Sequence, residues 1–169
     1  ITVTAPNGAE NWIMGTQQQI TWTDNGGKIS NNLNFEYTVD GTKWFGITPN
    51  APFDVTSHSC LWTIPDKDIF GLFQSPFNNV RVRITDNSNT ATSDISDNVF
   101  NIKLPAIEIT SPAGGEYWAA GDSAPVKWKT TGSVSNNLIL YYSTDNGASW
   151  SALFASGVAL FYAGLIITM

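Results

Sequence analysis

The chain has 169 residues, of which 42% are hydrophobic and 13% charged, so it can bury a core and is too apolar to be disordered. Eight Lys and Arg against 14 Asp and Glu leave a net charge of -6, which argues against nucleic acid and anionic membrane surfaces as partners and fits a soluble, secreted protein. One cysteine, Cys60, excludes an internal disulfide, and one histidine, His58, excludes a Ser-His-Asp triad or a His-based zinc site.

From the first residue the hydrophobic period is two, not 3.6. Ile20 and Trp22 alternate with polar neighbours, as do Leu33, Phe35, Tyr37 and Val39. Val80, Val82 and Ile84 alternate with Arg81 and Arg83, and Phe100 and Ile102 follow in the last run. Each run is short, rich in β-branched and aromatic residues, and bounded by Gly, Asn, Asp or Pro. Strands are expected near 1–4, 18–24, 33–39, 43–48, 59–64, 79–86 and 97–103. Seven antiparallel strands in about 100 residues predict an all-β chain, an immunoglobulin- or fibronectin-III-like β-sandwich with two inner faces packed on each other. Trp22, Trp62 and Trp128 fall at inward positions, and Cys60 reads as an inert core thiol.

The sandwich is written twice. Pro6, Gly8, Glu10, Trp12, Gly15, Trp22 and Trp44 recur 106 residues later as Pro112, Gly114, Glu116, Trp118, Gly121, Trp128 and Trp150. The Ser-Asn-Asn at 30–32 recurs at 135–137, and the extra Asn146 restores the spacing. A domain-sized period implies tandem domains, since solenoid and propeller units run to roughly 20–50 residues. The expected organisation is one module over residues 1–104 and a partial second module over 105–169, joined at Leu104-Pro105-Ala106. After Trp150 the similarity fades into the uncharged "SALFASGVALFYAGLIITM". Three readings fit it: a truncated or frame-shifted module, a divergent strand completing a partial domain, or a membrane anchor. The run barely reaches spanning length and lacks flanking Lys or Arg, so the first is preferred. An isolated fragment 105–169 is accordingly expected not to fold stably. The chain opens on Ile1 and reads as a mature or internal piece of a longer protein, and it contains no Asn-x-Ser/Thr acceptor.

The stretch "SPAGGEYWAAGDSAPVKW", Ser111 to Trp128, matches Ser-Pro-x-Gly-Gly-Glu-x-Trp followed by Gly and a Trp-bearing strand. It resembles the Ig-like module of the KNH-like yeast cell-wall synthesis family, also described as Ser-Thr-rich GPI-anchored, which occurs in tandem in secreted and surface proteins of bacteria. Ala5 to Trp22 matches with Ala5 for Ser and Ala9 for the second Gly, and "VRVRITDNSN…SDISDNVFNI" is similar to the closing hairpin. The resemblance implies an accessory or surface-organising role and brings no catalytic residues.

"STDNGASW", Ser143 to Trp150, looks like the Asp-box of sialidases. Here the motif reads as a hairpin device: Asp accepts backbone N–H groups, Gly supplies positive φ, and Trp packs over the turn. A sialidase needs an arginine cluster and blades at short spacing. Only Arg81 and Arg83 exist, and the first copy of the box, Thr38 to Trp44, lies a whole domain away.

Remaining candidates are few. Trp12 and Trp118 follow a Pro-x-Gly-x-Glu turn and are core clamps or sugar-stacking rings. The loop with Phe70, Phe73 and Phe77 reads as a plug for one end of the sandwich or as a docking patch. Asp86, Asp94 and Asp97 share a polar hairpin whose carboxylates could ligate Ca²⁺, although Asx-turns account for them without a metal. No cofactor fingerprint is present. The expected function is a non-catalytic extracellular spacer or adhesive module, partnered by neighbouring modules of the same polypeptide, with a membrane partner disfavoured. The alternative is a carbohydrate-binding accessory module of a secreted glycoside hydrolase, acting on cell-wall polysaccharide or another glycan.

Overall fold

The computed structural model describes residues 1–65, 77–119, 121, 123–135 and 137–153, with the backbone of 158–159 and 164–168. The chain divides into two compact units, Ile1–Pro105 and Ala106–Met169. Strands are the regular structure throughout, and the described residues contain no α-helix.

In the first unit the strands are β1 (Thr2–Ala5), β2 (Asn11–Ile13), β3 (Gln17–Thr23), β4 (Leu33–Thr38), β5 (Phe45–Ile47), β6 (Ser59–Thr63), β7 (Phe77–Asp86), β8 (Ser93–Ile95) and β9 (Phe100–Lys103). They form two sheets, β1-β3-β6 and β2-β9-β7-β4-β5, with β8 also on β7. This is an antiparallel immunoglobulin- or fibronectin-III-like sandwich. The inward residues are the alternating ones: Ile20, Trp22, Phe35, Val80, Val82, Ile84 and Phe100 are all buried in one core. Trp22 stacks against Phe35 and Phe53 at ring separations of 5.5 and 6.0 Å. Burying one such ring is worth several kcal/mol at roughly 25 cal/mol per Å².

The periodicity gives seven strands; β2 and β8 are additional. After β1 the chain turns a corner at Pro6–Glu10 and joins the opposite sheet, where β2 runs parallel to β9 with Trp12 opposite Ile102. The Glu10 carboxylate holds that corner by accepting the backbone N–H of Asn7 at 2.9 Å and of Gly8 at 2.8 Å. Glycine is required at position 8 because φ is +122° and a Cβ would sit 2.6 Å from Asn98 Cβ. The repeated Pro-x-Gly-x-Glu-x-Trp is therefore a sheet-switching corner.

In the second unit the strands are β10 (Ala106–Ser111), β11 (Ser123–Thr131), β12 (Asn137–Leu138), β13 (Tyr141–Tyr142), β14 (Ser151–Ala152), β15 (Val158–Ala159) and β16 (Gly164–Thr168). The corner is rebuilt, with Glu116 accepting the N–H groups of Ala113 and Gly114 at 2.6 and 2.7 Å. β10 pairs with β11 as β1 does with β3, bulge included. Tyr142 lies opposite Ser151 as Tyr37 lies opposite Phe45. β16 pairs with β11 from Ser123↔Thr168 to Lys127↔Gly164, the register in which β6 pairs with β3 from Gln17↔Thr63 to Thr21↔Ser59. The apolar tail thus supplies a divergent strand in the β6 position, in contrast to the truncated or frame-shifted end expected from sequence. Register depends on backbone pairing, so Gly-Leu-Ile-Ile-Thr can occupy the place of Ser-Cys-Leu-Trp-Thr without sharing its residues. No described helix is long and apolar enough to cross a membrane.

Candidate binding cleft of the second unit

The two Asp-box hairpins are closed by the same bonds. Asp40 Oδ1 accepts the N–H groups of Thr42 and Lys43, both at 2.8 Å, while Thr38 Oγ1 accepts Gly41 N–H at 2.9 Å. Asp145 Oδ1 accepts Ser149 N–H at 2.8 Å, and Ser143 Oγ accepts Gly147 N–H at 2.8 Å. These donors hold both carboxyls down to about 2: Asp40 chiefly through Lys43 and Thr42, Asp145 chiefly through the hydroxyl and N–H of Ser149. A carboxylate so fixed is a turn element, and neither Asp is placed as an acid or a base.

The other carboxylates singled out in the sequence are also spent on the fold. Asp86 is buried and accepts the N–H of Ser30 at 2.9 Å and the Ser30 hydroxyl, which keeps its carboxyl below the ordinary range. Asp94 accepts Val3 N–H at 2.8 Å, tying β8 to β1, and Asp97 accepts the Asn7 side chain at 3.1 Å. The three carboxylates serve three separate tethers. Among the described residues no group of three or more His, Cys, Asp or Glu is arranged to hold a metal, which corrects the calcium candidate. His58 Nε2 lies 2.9 Å from Asp24 Oδ2 in an exposed pair, and Cys60 is buried with its thiol pushed up to about 12.

Of the aromatic candidates, Trp12 is buried, with Trp62 at 6.1 Å and Phe100 at 4.8 Å. Its faces are covered by core rings, so it offers no stacking surface; this corrects the sugar-platform assignment for Trp12. Phe77 is half-buried, packed on the same core at the start of β7. Phe70 and Phe73 lie outside the described residues. Trp118 alone of these lines an open site.

That site is an apolar cleft of about 890 Å³ within the second unit, lined by Ile109, Trp118, Trp128, Leu138, Leu140 and Tyr142 among others, all without formal charge. Residue-by-residue comparison with the first unit shows its origin. Val3 is 1% exposed, whereas its equivalent Ile109 is 62% exposed; Tyr37 is 3% exposed, whereas Tyr142 is 49%. In the first unit these positions lie under β7 and β9, and among the described residues of the second unit no strand takes their places. Trp44 and Trp150 repeat the contrast. Trp44 is covered by the Arg83 guanidinium, 4.3 Å above its ring, with Arg83 held by Glu36 at 2.7 Å. Trp150 is 62% exposed, and its ring donates to Gly147 O at 3.1 Å.

Ile109, Tyr141 and Trp150 are the surface residues that sequence reasoning missed. The signal was available: the chain's two arginines both lie on β7, and the second unit has none to cover Trp150.

No protein-family model matches the sequence, and no curated protein matches it. Among solved structures the chain is similar to the fibronectin(III)-like modules of Clostridium thermocellum CbhA, with 12% identity, a TM-score of 0.30, and coverage of 99% of this chain and 77% of that one.

Proposed function

We propose that the chain is a non-catalytic extracellular module, a spacer or adhesive element of a larger secreted or cell-surface protein whose immediate partners are neighbouring modules. The observation that carries this reading is how the polar groups are used. Glu10, Asp40, Asp86 and Asp94 each hold a backbone N–H of their own unit, and Asp97 holds the Asn7 side chain. Turnover needs a group with a free proton site or a nucleophile, and these are committed to turns and corners. The resemblance of the corner sequence to KNH-like surface modules supports the extracellular setting.

A carbohydrate-binding role is the second reading, favoured by the open aromatic rings Tyr117, Tyr141 and Trp150 of the second unit. A glycan array across plant, fungal and bacterial polysaccharides, followed by tryptophan-fluorescence titration, separates the two. The spacer reading expects a flat array. Saturable binding abolished by Trp150→Ala would replace it with the carbohydrate-binding one.

A further inference from the structure

The first unit contains the template for what would close the second. Its β4 and β7 pair with Leu33 opposite Asp86, Phe35 opposite Ile84 and Tyr37 opposite Val82. Val80, Val82 and Ile84 are fully buried by that pairing and by β9. Leu138, Leu140 and Tyr142 are the equivalents of Leu33, Phe35 and Tyr37, at the same two-residue spacing. Among the described residues β12 pairs only with β15 and β13 only with β14, so each keeps one edge with unpaired backbone groups. An unpaired edge beside an apolar strip has the two elements that strand addition needs: main-chain hydrogen bonds for affinity and alternate side-chain sites for selectivity.

We propose that the cleft of the second unit is an acceptor for one extended strand donated by another module, with β-branched residues at alternating positions in the manner of Val80, Val82 and Ile84. The donated strand pairs with the free edge of β13 and lays its apolar side chains over Leu138, Leu140 and Tyr142, between them and Trp128. The uncharged lining selects a strand over a polar ligand. A sugar filling this cleft would leave most of its hydroxyls without partners, at a cost of desolvation. The exposed apolar positions are also contiguous, as at an interaction site rather than in scattered surface residues. This inference goes beyond the spacer reading and does not rest on it, since a flat or positive glycan array leaves the cleft's preference for peptide untouched.

The test uses the full 169-residue chain and a labelled synthetic peptide with the sequence of β7, Phe77–Asp86. The control peptide carries Ser in place of Val80, Val82 and Ile84. Fluorescence anisotropy should show saturable one-to-one binding, weakened at least tenfold by the control peptide and at least tenfold by Leu140→Asp in the chain. Tyr142→Ser, at a half-exposed position, provides a second variant whose first unit reports on folding. Hydrogen exchange at residues 137–142 should slow at least tenfold on addition of peptide. Equal binding of both peptides, no binding up to millimolar peptide, or binding indifferent to both cleft variants would overturn the proposal. So would a dimer in analytical ultracentrifugation that excess peptide fails to dissociate, because a second copy would then be the occupant.

Discussion

Phe35 and Leu140 occupy equivalent places in the two units, and truncating each to alanine measures how complete each interior is. Phe35 is 1% exposed and meets Trp22 at 5.5 Å and Phe53 at 5.1 Å. Phe35→Ala removes about 150 Å² of buried ring, about 4 kcal/mol at 25 cal/mol per Å², within the range of about 3–5 kcal/mol for Phe-to-Ala changes in packed cores. A unit of this size has a urea slope of about 2 kcal/mol per M, so its midpoint should fall by roughly 2 M. Leu140 is half-buried at the edge of an open cleft, and its side chain is already partly wet. Leu140→Ala should cost about 1 kcal/mol, well below the range of about 2–5 kcal/mol for a Leu enclosed on all sides. Urea titration read by hydrogen-exchange mass spectrometry resolves peptides from each unit in the same sample. A cost for Leu140→Ala as large as that for Phe35→Ala would mean that the second interior is closed, and the cleft would lose its standing as an acceptor.

The remaining predictions concern turns, corners and the thiol. Asp40 and Asp145 titrate at about 2 in the folded hairpins against an ordinary value of 3.8, so the folded state binds these protons more weakly than the unfolded chain. Their stabilisation is complete above about pH 4 and is lost as the pH falls through about 2; carboxyl NMR titrations with midpoints near 3.8 would contradict the hydrogen-bond assignment. Gly8→Ala forces both a positive φ and the contact with Asn98, whereas a Cβ at Gly114, φ +113°, meets nothing within 4 Å. Gly8→Ala should therefore cost about 2–3 kcal/mol and Gly114→Ala about 1 kcal/mol, and equal costs by thermal melting would refute the clash. Cys60, with its thiol near 12, should resist a thiol reagent at pH 8 until urea unfolds the first unit. Arg83→Ala should uncover Trp44 and raise its acrylamide quenching toward that of Trp150, with a stability change of about 1 kcal/mol.

Much of the first unit was legible in the sequence because alternation is a local property of a strand. Ile20, Trp22, Leu33, Phe35 and Tyr37 point inward as their period requires. The alternation fails at the hairpin: Thr38 is fully buried while Val39 is not, because the strand ends at Thr38 and its hydroxyl turns in to accept Gly41 N–H. Ser96 is likewise buried without any local signal, its hydroxyl accepting Val82 N–H across the sheet at 3.2 Å. The candidate ligands fared differently for a related reason. Asp86, Asp94 and Asp97 are neighbours in sequence, but the fold tethers them to Ser30, Val3 and Asn7, and only those distant partners decide what each carboxylate does.

The amino-acid order alone determined the strands, the two Asp-box turns and the repeated Glu-held corners, since each depends on residues within a few positions of one another. Whether an inward-facing side chain is covered was decided only in three dimensions. Tyr37 and Tyr142 stand at equivalent places in their repeats, yet one lies under β7 and the other is open, because burial depends on which distant strand comes to rest beside it. The same holds for the final segment, whose residues show no kinship with β6 but whose backbone pairs with β11 in the register of β6, because the ladder reads N–H and C=O groups rather than side chains.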